Sequence, residues 1–219
     1  FFLPLVIMAL NFSFVNITWG GTKTVLAGDA YHQYVNFHTL FSTIMHTGSG
    51  FLYTFTSGLG LNFLSFSSYY LGSFLMPLTY FFNAATMPDG LYLLTLLKFG
   101  CIGLSAFISF KLMYHTLSKW LIVSLAISYT LMSFIVNQSE IIMWLDVFIW
   151  LPLIICGLHR MMEQRKCRLY FISLTILFTQ NYYFGFMVAI FLVLYFLARM
   201  TYEKRSWTKV LDFVVSSAL

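Results

Sequence analysis

The sequence predicts an all-α protein, a polytopic transmembrane helical bundle with amphipathic surface helices in its first outer loop. Hydrophobic residues make up 60% of the 219 residues and charged residues only 9%, a composition far from that of soluble domains. Apolar runs of about twenty residues, enough to cross the hydrocarbon core of a bilayer as a helix, recur along the whole chain. Lysine and arginine collect in alternate connections between these runs. We therefore expect a membrane protein without a soluble domain in this chain.

The apolar runs predict a series of membrane spans, the last of which begins near residue 210. The spans are expected at residues 1–19, 89–113, 120–136, 141–158, 169–181, 184–199 and from 210 onward. Neither a charged leader nor a small-residue cleavage site accompanies the first run, which favours a retained span over a signal peptide. Because the chain starts without Met and stops inside an apolar run, we expect it to be the N-terminal membrane region of a larger protein.

The distribution of positive charge predicts the orientation of the spans. Ten of the twelve Lys and Arg residues lie on one side: Lys111, Lys119, Arg160, Arg165, Lys166, Arg168, Arg199, Lys204, Arg205 and Lys209. Short loops rich in Lys and Arg stay in the cytoplasm, so residues 20–88, 137–140 and 181–185 are predicted to face outside. This topology accounts for the net charge of +5 and leaves no reason to invoke nucleic acid.

The long outer segment 20–88 is too apolar to be a solvated loop. From residue 31 to 47 apolar and polar side chains recur on opposite faces at helical spacing, which predicts an amphipathic helix on the outer membrane surface. The apolar face comprises Tyr34, Phe37, Phe41, Ile44 and Met45, and the polar face His32, Asn36, Thr39, Thr43 and His46. Residues 63–82 could form a second surface helix, a re-entrant helix or a full span. We expect His32 and His38 to be interfacial residues and not metal ligands.

Two charged residues fall inside predicted spans, Lys98 and Asp146. A charge at the centre of a transmembrane helix costs on the order of 3 kcal/mol by insertion scales, so something must offset it. The alternatives are a Lys98 contact to a bound phosphate, a Lys98–Asp146 pair that shapes a cavity, and a purely structural ion pair. In the predicted outer turn at 181–185, Asn181 and Tyr182 suit a sugar, although tyrosines are also ordinary residues of the membrane interface.

Four motifs in order resemble the YfhO family of bacterial polytopic membrane proteins. They are GDAYHQY at 28–34, GLGLN with SYYLGSFLMPL between 58 and 78, MWLDVFIWLPLIICG at 143–157 and NYYFGFM at 181–187. The resemblance implies a glycosyltransferase of the GT-C class, which takes a sugar from a polyprenyl-phosphate donor at the outer face of the bacterial cytoplasmic membrane. It further implies an envelope polymer such as a teichoic acid as the acceptor.

The GT-C pattern places a catalytic acid in the first long outer loop before a surface helix, and Asp29 occupies that position. The other interpretation is that Asp29 only caps the helix. We expect the site to be lined by Asp29, Gln33, Asn62, Lys98, Asp146, Asn181 and Tyr182. The sequence has no Asp-x-Asp pair at Asp29, so no metal ligand is predicted and dependence on a divalent metal stays open. The rival functions are a lipid-linked polymer transporter or flippase and a non-catalytic membrane scaffold.

Overall fold

The described part of the chain is mostly helical and forms no strand, which confirms the predicted all-α membrane bundle. The computed structural model describes residues 1–55, 59–202 and 207–218. Gly58 of the GLGLN motif, and Lys204 and Arg205 of the last basic connection, lie outside the described residues. The α-helices are α1 Phe2–Phe14, α2 Val35–Thr47, α3 Phe63–Tyr70, α4 Met87–Met113, α5 Lys119–Thr130, α6 Ser133–Asn137, α7 Ile142–Gln164, α8 Arg168–Gln180, α9 Tyr182–Tyr202 and α10 Trp207–Ala218.

Three of the described helices, α4, α7 and α9, are long and apolar enough to cross a membrane. Helix α9 leaves large apolar side chains such as Phe186, Ile190 and Leu194 exposed along its length, as a helix facing lipid does. Helix α1 is apolar but has 13 residues, which is about 20 Å of helix. It therefore spans less than the usual thickness of the hydrocarbon core.

Helices α4 and α7 form the centre of the bundle, and α1 packs on α4 through glycine. A Cβ atom at Gly103 would come within 2.5 Å of the Pro4 ring, and one at Gly100 within 2.8 Å of the Phe1 ring. Small residues at such contacts let helices in a membrane approach closely, where packing replaces the hydrophobic effect as the main source of stability. The buried residues of this contact include Met8, Phe99 and Ile102.

The structure divides the predicted span 120–136 into α5 and the short helix α6. Met132 has an extended backbone conformation, with ψ at 145°, which interrupts the helical hydrogen bonds. Just before it, the buried Thr130 hydroxyl donates to the Ala126 carbonyl at 2.7 Å. Bonds of this kind compete with the backbone ladder and weaken a helix locally. Apolar composition alone does not reveal the interruption.

The first outer loop carries the predicted amphipathic helix. It begins as a π-helical segment, Ala30–Tyr34, and continues as α2. Tyr34, Phe41 and Ile44 are buried as expected. One expectation for this helix is wrong: His38 is buried instead of interfacial, because it shares the inner face with Tyr34 and Phe41 at helical spacing. Met45 is 42% exposed.

The stretch 63–82 is not a full span. It consists of the eight-residue α3 followed, after a non-helical turn, by a 3₁₀ helix, Met76–Phe81. Neither helix is long enough to cross a bilayer. This stretch therefore gives no reason to reverse the predicted orientation of the later spans.

Polar residues of the bundle lie at two opposite ends. At one end Arg165 pairs with Asp212 at 2.9 Å and Arg199 with Glu163 at 3.3 Å, which brings the ends of α7 and α9 together with α10. At the opposite end lie Asp29 and the connections before α7 and α9. These are the two groups that the charge distribution predicts for the inside and the outside.

The orientation can be measured by labelling single cysteines in a variant that lacks Cys101, Cys156 and Cys167. We expect a cysteine at position 138 to react with an impermeant maleimide on intact cells, because the α6–α7 turn is predicted to face outside. A cysteine at position 164 should react only after the membrane is permeabilised. The opposite pattern would place Asp29 in the cytoplasm and remove any role at the outer face.

Candidate functional site

The Asp29 carboxylate does not cap the helical segment that follows it. Gly28 adopts a left-handed conformation, with φ at +47°, and Asp29 immediately precedes the π-helical segment. The backbone N–H of Ala30 donates to the Ala27 carbonyl at 2.9 Å, and that of His32 to the Gly28 carbonyl at 3.2 Å. The Asp29 side chain makes no capping hydrogen bond. The first backbone N–H groups of this segment thus donate to main-chain carbonyls and not to a capping side chain.

Gln33 lies directly beside Asp29. Its side-chain amide donates to the Asp29 Oδ1 atom at 3.2 Å, as residues four apart on one helical face can do. Asp29 is half-buried, so one carboxylate oxygen is held by Gln33 in a position open to the surface. Gln33 thus orients the Asp29 carboxylate and leaves it accessible.

Glu140 approaches Gly28, the residue before Asp29, from the turn before α7. A Cβ atom at Gly28 would lie 3.1 Å and 3.3 Å from the two carboxylate oxygens of Glu140, so only glycine fits there without displacing this acid. Glu140 also lines a cavity of about 190 Å³. The walls include Phe12, Ile17, Val25, Ala27, Ala30, Thr95, Asn137, Ser139 and Ile142. Sequence reasoning placed Glu140 in the outer half but did not include it in the site.

A chain of tyrosine rings leads from Asp29 to the turn between α8 and α9. Tyr34 and Tyr70 have ring centroids 6.0 Å apart, Tyr70 and Tyr69 4.8 Å, and Tyr69 and Tyr182 5.7 Å. Burial raises the pKa of Tyr34, and the Asp29 charge adds to this. Tyr34 therefore stays protonated. Tyr182 is the last ring of this row and is 57% exposed, so its ring face is available to a ligand.

Lys98 and Asp146 form a buried ion pair below this surface. Their Nζ and Oδ2 atoms are 2.7 Å apart, and the side chains are 1% and 3% exposed. Lys98 Nζ also donates to the Ile142 carbonyl at 2.9 Å, so the long side chain reaches towards the start of α7. The Ser73 hydroxyl donates to Asp146 Oδ1 at 2.9 Å. The pair thus connects α4 and α7 with the loop that follows α3.

Comparison with known proteins adds the family. A family model described as bacterial membrane protein YfhO matches residues 1–219. The chain belongs to the YfhO family. No curated protein matches the chain, and no solved structure matches it.

In this YfhO family member, two predicted site residues serve as helix caps. Asn181 is 1% exposed, and its Oδ1 atom accepts from the Phe184 backbone N–H at 3.1 Å at the start of α9. Asn62 is exposed and accepts from the Ser65 N–H at 3.2 Å at the start of α3. Neither is joined to Asp29 or to the Lys98–Asp146 pair by a described contact. Their roles in binding remain predictions.

His38 lies buried on the inner face of α2. Neither ring nitrogen has a hydrogen-bond partner among the described residues. Burial lowers the pKa of His38 to about 3, and the Lys98 charge acts in the same direction. The ring is therefore neutral and adds no second positive charge beside the ion pair.

No three His, Cys, Asp or Glu side chains converge as potential metal ligands within the described residues of this YfhO chain. Asp29 follows Gly28 in the sequence, and the Glu140 carboxylate lies against Gly28 in the structure. The sequence predicts no metal ligand and leaves dependence on a divalent metal open, and these contacts do not test it.

Proposed function

We propose that this YfhO-family chain is the membrane region of a glycosyltransferase. In the proposed reaction a sugar moves from a polyprenyl-phosphate donor to an extracytoplasmic envelope polymer such as a teichoic acid. The observation that carries the proposal is the Asp29 carboxylate, which is held by Gln33 at 3.2 Å and makes no capping bond to its helix. An acid held at a surface without a structural bond to the backbone is suited to accept a proton.

The chemistry needs only one such acid. Glycoside hydrolysis usually requires two carboxylates because a poor leaving group must be protonated. A polyprenyl phosphate leaves as a stable anion, so the remaining demand is a base for the acceptor hydroxyl. In the proposed step the acceptor oxygen attacks the anomeric carbon, its proton passes to Asp29, and the bond from that carbon to the phosphate oxygen breaks.

The neighbours of Asp29 have supporting roles in the proposal. Gln33 orients the carboxylate and contacts sugar hydroxyls through its remaining amide groups. Tyr182 offers an exposed ring face and a hydroxyl, a combination that suits a pyranose ring. We assign the buried Lys98–Asp146 pair a positioning role, because a phosphate could reach Lys98 only if the pair opened.

The proposal is tested by following both parts of the donor in membranes that carry the full-length protein. We expect a sugar label on a polyprenyl-phosphate donor to appear on envelope polymer, and expect no incorporation from a nucleotide sugar when polyprenyl phosphate is absent. A flippase would instead move the intact labelled donor across the bilayer without transfer. Movement of the donor with no labelled polymer would contradict the glycosyltransferase.

A further inference from the structure

A second cavity, of about 470 Å³, lies at the other end of the bundle, between the end of α7 and the start of α8. Its size falls in the range of small-molecule sites. Four of its lining residues are cations. The lining comprises Arg160, Arg165, Lys166, Cys167, Arg168 and Leu169. None of these residues takes part in the proposed transfer reaction.

The sharp turn between α7 and α8 makes these cations converge. Arg165 ends α7 in a left-handed conformation, with φ at +56°. The Lys166 backbone N–H then folds back to the Arg160 carbonyl at 3.3 Å. The loop therefore lies over the last turns of α7, and the side chains on either side of the turn face one shared hollow.

A close helix crossing gives Arg160 its position. A Cβ atom at Gly157 would come within 2.4 Å of the Tyr170 backbone nitrogen and 3.0 Å of the Leu169 carbonyl carbon. Glycine at this position thus lets the start of α8 rest on α7. Arg160 follows Gly157 by three residues and shares its helical face, so Arg160 points towards the beginning of α8.

The charges in this hollow are only partly neutralised by the protein. Arg165 forms a two-pronged pair with Asp212, with N–O distances of 2.9 and 3.0 Å. Arg160, Lys166 and Arg168 make no ion pair or side-chain hydrogen bond with a described residue. Cys167 precedes α8 without a side-chain capping bond, which leaves positive ends of backbone dipoles beside the same cations.

We propose that this hollow, the α7–α8 basic cavity, binds the phosphate headgroup of an anionic phospholipid in the cytoplasmic leaflet. The positive-inside rule explains why basic residues occur in this connection, but it does not require them to converge on a concave site. Basic pockets between transmembrane helices on the cytoplasmic side suit anionic lipid headgroups. Helices α7 and α8 would hold the headgroup at the membrane surface, where the acyl chains can remain in the bilayer.

The test is native mass spectrometry of the purified full-length protein with phosphatidylglycerol and with phosphatidylcholine of the same acyl chains. We expect phosphatidylglycerol to bind more tightly. The double variant Arg160→Gln and Arg168→Gln should weaken phosphatidylglycerol binding about tenfold or more, since each cation near an anionic surface contributes several-fold to affinity. Phosphatidylcholine binding should stay unchanged. The single variant Lys166→Gln, in the exposed loop, tests the cavity without altering either helix and should weaken binding a few-fold.

The matched control removes two charges elsewhere on the same side, Lys111→Gln and Lys119→Gln, and should change phosphatidylglycerol affinity less than about twofold. Equal weakening of phosphatidylglycerol binding by both double variants would indicate a diffuse positive surface and overturn the proposed site. Equal binding of the two lipids to the unaltered protein would also overturn it. If soluble glycerol phosphate bound as tightly as phosphatidylglycerol and displaced it, the occupant would be a soluble phosphate and not a lipid.

Discussion

Replacing Lys98 with methionine is expected to lower the free energy of unfolding by about 3–5 kcal/mol, the general cost of breaking a buried ion pair. The substitution leaves Asp146 with Ser73 as its hydrogen-bond partner and without the cation that now lies 2.7 Å away. Methionine fills much of the lysine volume, so loss of the charge dominates the effect. Thermal melting of the full-length protein in detergent measures it.

Two further variants make this result specific. Adding Asp146→Asn to Lys98→Met should restore most of the lost stability, because asparagine is neutral and keeps an oxygen that can accept from Ser73. Lys111→Met is the matched control on the same helix; Lys111 is exposed in the last turn of α4, and its loss should change stability by no more than about 0.5 kcal/mol. A Lys98→Met protein that melts normally but fails to bind donor would contradict the positioning role and favour direct phosphate contact.

Short-range patterns in the sequence were sufficient to predict several parts of this structure. Long apolar runs predicted the regions of α4, α7 and α9, because a helix satisfies its backbone polar groups within a single segment in a bilayer. The cost of isolated charges in a membrane made a Lys98–Asp146 pair one of the expected outcomes. The separation of four residues placed Gln33 on the same helical face as Asp29. Each inference depended on helix geometry or on solvation alone.

Other parts of the site depended on how distant segments dock, which periodicity does not encode. The approach of Glu140 to Gly28 joins residues more than a hundred positions apart, and Ser73 reaches Asp146 from a non-helical turn. Asn181 is predicted to contact a sugar because its amide lies beside tyrosines in a predicted outer turn. In the structure the short link between α8 and α9 buries Asn181, and its side chain caps α9.

Replacing Asp29 with asparagine is expected to reduce sugar transfer by at least about a hundredfold, since general-base catalysis typically contributes 10²–10⁴-fold. Stability should stay close to that of the unaltered protein. The helix after Asp29 begins on main-chain hydrogen bonds and not on this side chain. Asparagine also keeps an oxygen that can accept from the Gln33 amide, which now donates to Asp29 at 3.2 Å. Only the ability to take a proton is removed.

Asp89→Asn is a suitable matched control. Asp89 lies in the first turn of α4, at the same end of the bundle, and its Oδ1 atom accepts from the Gly20 backbone N–H at 2.8 Å. The substitution removes one negative charge and keeps the accepting oxygen. We expect transfer by this variant within about twofold of the unaltered protein, because Asp89 has a structural partner and no place in the proposed reaction.

The proposed role of Asp29 as the base for sugar transfer is tested by the initial rate of transfer from a labelled polyprenyl-phosphate donor. The full-length protein, Asp29→Asn and Asp89→Asn should be compared in membranes at equal protein amounts and with their melting temperatures measured in parallel. This role of Asp29 predicts a loss of about a hundredfold or more for Asp29→Asn alone, with unchanged melting. Transfer near the unaltered rate by Asp29→Asn would contradict it and would make Glu140, whose carboxylate lies against Gly28, the next candidate base.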